Sequence, residues 1–140
     1  TKTCQEDFGV SEEITSFVLP LGMTVNMDGT AIMQVVATLF VAGVAGFQVS
    51  FPQLILIAML ALVASVGTPA APGSGAIVLC TILSGVGFTS DTALLAYSLI
   101  LAINRPIEML VTALNVVGDA TTSIIVAKSE HALDEAAYNK

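Results

Sequence analysis

The stretch that decides the fold is "LPLGMTVNMDGTA", residues 19–31. Apolar segments flank it on both sides, "EEITSFV" before it and "AIMQVVATLFVAGVAGF" from residue 31 onward. Pro20 lacks a backbone hydrogen-bond donor, and Gly22 adds a second point at which a helix is easily disturbed. A helix needs about 20 apolar residues to cross a membrane, and neither flanking segment is that long. We therefore predict one membrane-spanning helix that is broken in its middle by a polar interruption at residues 22–30.

The composition indicates that this stretch belongs to a membrane protein. Of the 140 residues, 55% are hydrophobic and only 11% are charged, whereas soluble domains carry about 25% charged residues. The charged residues between Ile14 and Ala127 are Asp28, Asp91, Arg105, Glu108 and Asp119. We predict an all-α, multi-pass membrane protein in contact with the lipid bilayer. The lack of a basic cluster argues against a nucleic-acid partner.

A second apolar region surrounds a stretch of small residues, "ASVGTPAAPGSG", residues 64–75. Apolar arms lie at 51–66 and 76–88, and each is too short to span comfortably. A non-helical tip at membrane depth is tolerated only where protein buries it or a cavity borders it. We therefore predict a re-entrant helical hairpin, with two ordinary spans joined by a surface loop as the alternative.

The remaining apolar residues, 88–128, have the pattern of one long helix. Thr89 or Ser90 is positioned to cap its start, and Pro106 is expected to kink it. The polar tail after Ser129 is predicted to form a short helix or a frayed end. The chain starts without Met, at "TKTCQEDFGVSEE", so we expect it to be the C-terminal piece of a longer protein.

A polar stripe runs along this long helix. Spacings of three and four residues place five polar side chains on one helix face: Asn104, Glu108, Thr112, Asn115 and Asp119. Ionisable residues inside a membrane normally face a bundle interior or an aqueous cavity and mark an ion or substrate path. We expect that role for Asp119. For Glu108, the alternative is a purely structural ion pair with Arg105 that locks helices together.

The motif "NMDGT", residues 26–30, has the chemistry of a cation site. An interrupted helix frees backbone carbonyls, and with a nearby carboxylate these oxygens suit Na⁺. Asp28 supplies the charge, and Thr30 offers a hydroxyl at the start of the next half-helix. The positive end of that half-helix suits an anionic group. The alternative is an ordinary turn between two spans, where Asn, Asp and Gly are common.

Three motifs in this order, "LPLGMTVNMDGTA", "ASVGTPAAPGSG" and "NVVGD" followed by "IVAKSE", resemble the dicarboxylate/amino acid:cation symporters, the family of glutamate and aspartate transporters. Members of this family are themselves transporters with broken helices. The resemblance implies that 1–140 form the C-terminal half of an elevator-type transport domain. The scaffold domain and the first re-entrant hairpin would lie outside this chain, in the remainder of the same transporter. It also implies a homotrimer in the cell (inner or plasma) membrane.

The resemblance further implies site residues, position by position. The Na⁺ ligands, several of them backbone carbonyls, would be Gly22, Thr24, Asn26, Met27, Asp28, Ser65, Val66, Thr68, Asn115 and Asp119. The substrate-binding positions would be Thr30, Ala71, Pro72, Gly75, Glu108, Val111, Thr112 and Asn115. Among these, the Asn115 side chain would hold the substrate carboxylate, and the hairpin tip would cover the substrate.

Three positions depart from the carriers of acidic amino acids. Asn104 and Glu108 stand where those carriers have Asp, and Val111 stands where they have the Arg that pairs with the substrate side-chain carboxylate. Valine cannot pair with a carboxylate, and the planar fork of arginine is hard to replace. We therefore expect a neutral or sulfur-containing amino acid, with Glu108 binding its ammonium group.

Three functions remain open from the sequence. The first is a Na⁺-coupled amino acid symporter. The second is a proton-coupled amino acid or dicarboxylate symporter of the same fold, with Glu108 as the proton carrier. The third is a membrane-embedded subunit that transports nothing. We do not expect an enzyme, because no pair of a nucleophile and a base is visible in the embedded part.

Overall fold

Helices form almost the whole of the computed structural model, which describes residues 1–69 and 71–139. No β-strand occurs in the described residues, apart from an isolated bridge between Val10 and Leu133. The helices are α1 (Lys2–Glu6), α2 (Glu12–Val25), α3 (Asp28–Ala45), α4 (Phe51–Val66), α5 (Ser74–Gly85), α6 (Asp91–Ser129) and α7 (Glu135–Tyr138). The all-helical class predicted from the sequence is therefore confirmed.

The interruption between α2 and α3 is shorter than predicted. Helix α2 continues through Pro20 and Gly22 to Val25, so that only Asn26 and Met27 lie outside the two helices. The prediction of an interruption over 22–30 was wrong in extent. The reason is that the Gly22 carbonyl still accepts a hydrogen bond from the Asn26 N–H, at 2.8 Å, which keeps the last turn of α2 intact.

Helices α4 and α5 pack against each other as a helical hairpin. The Ser50 N–H donates to Gln53 Oε1 at 3.0 Å, which fixes the start of α4. Gly73 precedes α5 with a φ of 86°, a left-handed conformation that glycine adopts without strain. With 16 and 12 residues, the two arms measure about 24 and 18 Å. Both are shorter than the hydrocarbon core of about 30 Å.

Helix α6 is the longest element, with 39 residues, and it continues through Pro106. Ser90 caps its start, because the Ser90 Oγ accepts from the Ala93 N–H at 3.3 Å. The Tyr97 hydroxyl donates to the Ala76 carbonyl at 3.0 Å and ties α6 to α5. Helix α6 also packs against both halves of the broken helix and against α5.

The apolar core joins α3, the hairpin and the first half of α6. Ile57, Leu79 and Ala93 are fully buried there, and the rings of Phe47 and Phe88 stack with centroids 4.5 Å apart. At the opposite end, residues from both chain termini pack together, and the Asp134 N–H donates to the Gly9 carbonyl at 2.8 Å.

The outer surface of the molecule is strongly apolar. Phe51, Met109 and Leu110 are each about three-quarters exposed, at 74%, 75% and 74%. Two segments are long and apolar enough to cross a membrane, namely Glu12–Ala45, taken through the interruption, and Asp91–Ser129. An exposed apolar surface of this extent marks contact with lipid or with further protein.

Candidate functional site

A cavity of about 770 Å³ lies where the helix interruption, the hairpin tip and the middle of α6 meet. Helix α6 contributes Glu108, Val111, Thr112, Asn115 and Asp119. The interruption and the hairpin contribute Asn26, Met27, Thr30, Thr68, Ala71, Pro72 and Gly75. The three motifs picked out in the sequence therefore converge on one cavity.

Asp119 is held in its place by the helix interruption. The Asn26 Nδ2 donates to the Asp119 Oδ1 at 2.8 Å and lies 3.4 Å from the Asn115 carbonyl oxygen. Only 8% of Asp119 is exposed. A carboxylate so deeply buried needs hydrogen bonds or a positive charge to compensate for the loss of water. The amide of Asn26 supplies one hydrogen bond, and no basic side chain forms an ion pair with Asp119 among the described residues.

Two glycines leave the space in which the side chains of Asn26 and Asp119 meet between α2 and α6. A Cβ at Gly22 would collide with the Asp119 Oδ1, and a Cβ at Gly118 would collide with the Asn26 Nδ2. Both glycines lie in helices, so conformational freedom is not what their positions demand. They are required because α2 and α6 meet here without room for a side chain.

Asn115 caps the second half of the broken helix from outside. Its Oδ1 accepts the Gly29 N–H at 2.8 Å, and its Nδ2 donates to the Thr30 Oγ1 at 3.3 Å and to the Met27 Sδ at 3.4 Å. The first N–H groups of a helix lack partners within that helix. The Asn115 amide therefore fixes α3 to α6 at the point where the helix resumes.

The hairpin tip is joined to α6 by Glu108. Its Oε1 accepts the Gly73 N–H at 2.6 Å, and its Oε2 lies 3.2 Å from the Arg105 Nη1. The Glu108 side chain is 16% exposed, whereas that of Arg105 is 73% exposed. The Arg105–Glu108 pair expected from the spacing is present. Both residues belong to α6, and the pair borders the cavity and, through Glu108, contacts the hairpin.

One member of the predicted stripe lies elsewhere. Asn104 lines a separate apolar groove of about 460 Å³ between α3 and α6. It is 4% exposed, and its Oδ1 has no hydrogen-bond partner. The polar face that borders the site therefore begins at Glu108 and ends at Asp119.

Several residues implied by the resemblance do not line the cavity. Thr24 and Asp28 are exposed, Val66 is 47% exposed, and Ser65 is buried in the hairpin. The Ser65 carbonyl accepts the Thr68 N–H at 3.0 Å, within the hairpin itself. The described residues thus bring Asn26, Asn115 and Asp119 together at the cavity, and Thr24, Asp28, Ser65 and Val66 are not among the residues that line it.

Sequence reasoning missed two backbone N–H groups and one glycine of this site. The N–H groups of Gly29 and Gly73 are both bound by α6 side chains, and Gly118 makes room for Asn26. Gly118 stands directly before Asp119 in an otherwise apolar helix, which was the available signal. No spacing in the sequence indicates which N–H a distant side chain will bind.

The chain as a whole can be compared with known proteins. The family model described as "Sodium:dicarboxylate symporter family" matches residues 1–129. The chain belongs to this family. The description of the family names sodium, which agrees with Na⁺ as the predicted coupling ion. Family membership and the two long apolar segments agree with the predicted location in the cell membrane.

Individual relatives agree with the family assignment. The chain is 37% identical over 122 residues to an excitatory amino acid transporter of Onchocerca volvulus, with 87% of this chain covered. It is 38% identical over 125 residues to excitatory amino acid transporter 1 of Homo sapiens, with 89% covered. The chain spans only 24% and 22% of the length of these two relatives.

Proposed function

We propose that the protein to which this chain belongs is a Na⁺-coupled symporter that takes up an amino acid, with residues 1–140 as the C-terminal half of its transport domain. The observation that carries the proposal is the buried Asp119 carboxylate, which faces the helix interruption and, among the described residues, is hydrogen-bonded by the Asn26 amide without a basic partner. In this proposal the transport domain moves as an elevator in a homotrimer. The remainder of the transporter covers the apolar surface.

The donor atoms around Asp119 fit Na⁺. In this proposal they are the carboxylate itself and the backbone carbonyl oxygens of Gly22, Asn26 and Asn115. All are hard oxygens, and broken membrane helices use such carbonyls to coordinate Na⁺. The Asn26 Nδ2 donates to the Asp119 Oδ1, and this oxygen can accept that bond and contact a cation at the same time. The other proposed ligands are Thr24, Met27, Asp28, Ser65, Val66 and Thr68.

The cavity has complementary groups for an amino acid. At one end, Glu108 offers a carboxylate for an ammonium group. Asn115, Thr30 and Thr112 line the cavity near the positive end of α3, which suits a carboxylate. The tip residues Ala71, Pro72 and Gly75 close the cavity on the hairpin side.

Val111 supports a neutral or sulfur-containing substrate in this proposal. It lines the cavity, so an apolar side chain stands where acidic amino acid carriers have their arginine. Arg105 also lines the cavity, but its guanidinium is paired with Glu108. A free acidic side chain on the substrate would therefore find no unpaired cation among the described residues of the cavity.

The second candidate is a proton-coupled symporter of the same fold. The observation that favours it is Glu108, a largely buried carboxylate that touches both the cavity and the hairpin tip. Protonation of Glu108 would remove its charge and weaken both contacts. In that case uptake would follow an imposed pH gradient without Na⁺.

The test is uptake by the full-length transporter in proteoliposomes, with labelled serine, cystine and aspartate offered under an inward Na⁺ gradient. We expect Na⁺-dependent uptake of a neutral substrate and little aspartate uptake. Asp119→Asn removes the charge with little change of shape and is expected to abolish the Na⁺ dependence. Asp91→Asn, at the exposed start of α6, is the matched control and is expected to leave uptake unchanged. Strong uptake of aspartate would contradict the neutral specificity, and uptake driven by pH alone would support the second candidate.

A further inference from the structure

We propose that the Glu108 carboxylate is the latch of the hairpin, and that Arg105 is the residue that positions it. The latch holds the tip closed over the cavity before any ligand arrives. This inference rests on the proposed function in one respect, namely that the hairpin is the cover of a transport site. The latch itself is the contact between Glu108 of α6 and Gly73, the residue that directly precedes α5.

The bond that forms the latch is short and charge-assisted. Glu108 Oε1 and Gly73 N are 2.6 Å apart, and the acceptor is a carboxylate that is largely shielded from water. Bonds of this kind are about twice as strong as those between neutral groups. Gly73 is the residue that directly precedes α5, so the carboxylate also lies at the positive end of that helix.

The other hydrogen bonds of the tip stay within the hairpin. The Ser74 Oγ donates to the carbonyls of Pro69 and Ala71, and the Thr68 Oγ1 donates to the Ala64 carbonyl. Across the described part of the tip, residues 67–69 and 71–73, Gly73 alone is hydrogen-bonded to α6. Loss of Glu108 would therefore free the tip from α6 and leave the two arms folded.

Arg105 gives the carboxylate its orientation. Its guanidinium contacts Oε2, the oxygen that does not bind Gly73, and it lies one helical turn before Glu108. Since Arg105 is 73% exposed, solvent screens its charge, and its part is to select one rotamer of Glu108. A ligand ammonium can bind Oε2 beside Arg105, while Oε1 keeps the tip closed.

Hydrogen exchange of the Gly73 amide in the full-length transporter measures the latch directly. The experiment is done without Na⁺ and without substrate, with mass spectrometry that resolves single residues of the tip. We expect Glu108→Ala to accelerate exchange at Gly73 on the order of tenfold, because the amide loses a charged acceptor. Glu108→Gln keeps an acceptor without its charge, and we expect a rise of a few-fold.

Glu108→Asp separates charge from reach. It retains the carboxylate but shortens the side chain by roughly 1.5 Å, which takes the oxygen out of hydrogen-bond distance of Gly73. We expect it to accelerate exchange as much as Glu108→Ala. Arg105→Ala is expected to raise exchange two- to three-fold, and Arg105→Lys to restore most of the protection, which a purely steric role of Arg105 would not produce.

Asp91→Asn is the matched control, since it removes an acidic charge from the same helix about 25 Å away. It should leave exchange at Gly73 unchanged. Unchanged exchange in Glu108→Ala and Glu108→Gln would overturn the latch. If Glu108→Ala fails to fold, amides of α4 and α6 will exchange faster too, and Glu108→Gln then decides. The two proposals can fail separately. Fast exchange at Gly73 in the wild-type protein together with Na⁺-driven uptake would contradict the latch alone. Protected exchange at Gly73 without any uptake would contradict the proposed function alone.

Discussion

The Nδ2 of Asn26 lies 2.8 Å from the Oδ1 of Asp119, which makes a direct contact between the helix interruption and a carboxylate 93 residues later in the chain. The contact joins the two features that stand out most in the sequence, a polar break in an apolar helix and an acidic residue in another. It also places a hydrogen-bond donor, the Asn26 amide, at the carboxylate where we propose that Na⁺ binds. A carboxylate oxygen can accept a hydrogen bond and contact a cation at the same time, so the Asn26–Asp119 bond can persist when Na⁺ binds this carboxylate.

The first prediction concerns the effect of Na⁺ on stability. A ligand that binds only the folded state stabilises it by about 2.7 kcal/mol at a hundred times its dissociation constant. We expect the Tm of the full-length transporter to rise with Na⁺ and Asp119→Asn to lose most of that rise. The measurement is thermal unfolding in Na⁺ against an equal concentration of choline. An unchanged Na⁺ effect in the variant would place the cation elsewhere.

The second prediction concerns the space between α2 and α6. Gly22→Ala adds a Cβ that collides with the Asp119 carboxylate, and we expect it to destabilise the protein by about 1–3 kcal/mol. Gly43→Ala is the matched control, because nothing lies within 4 Å of a Cβ at that position. Since alanine favours helices by about 1 kcal/mol over glycine, the control should be neutral or stabilising. Equal Tm values for the two variants would contradict this account.

The third prediction concerns the start of α3. Asn115→Leu removes the acceptor of the Gly29 N–H and leaves that amide without its partner, at an expected cost of about 1–3 kcal/mol. Thr121→Ala, on the same helix, removes an exposed hydroxyl that binds only its own helix, and should change stability by less than about 0.5 kcal/mol. Chemical unfolding of both variants measures the difference. A loss of stability in Thr121→Ala as large as that in Asn115→Leu would show that the cap is not special.

The fourth prediction concerns substrate choice. Val111→Arg places a guanidinium in the cavity, and we expect inhibition of uptake by aspartate to strengthen by about tenfold, since paired arginine–carboxylate bonds are strong. Val111→Gln is polar without charge and serves as the control. Competition assays in proteoliposomes measure both. A similar gain in Val111→Gln would mean that polarity, and not the cation, determines the choice.

Much of the fold follows from patterns that are local in the chain. Apolar runs, the cap at Ser90 and the small-residue tip each depend on neighbouring residues, so the broken helix, the hairpin and the long helix were predicted with nearly correct limits. The extent of the interruption between α2 and α3 was not predicted correctly. Pro20 and Gly22 suggested an early break, but the backbone bond from Asn26 to Gly22 continues the helix.

The candidate site was predictable in part, for the same reason. Asn115, Thr112 and Glu108 could be placed on one face because helix geometry fixes the spacing of side chains. The position of Asn104 in a different groove could not be found that way, because it depends on how α3 packs against α6.

The sequence by itself determined that this is an all-helical membrane protein with carboxylates inside an apolar helix, and its motifs carry the family resemblance. Only the tertiary structure decided which atoms meet: Asn26 with Asp119, Asn115 with Gly29, and Glu108 with Gly73. Each of these bonds joins residues at least 35 positions apart. Periodicity acts over a few helical turns, whereas these contacts depend on how closely whole helices pack, and Gly22, Gly29 and Gly118 leave space for the contacts of Asn26 and Asn115.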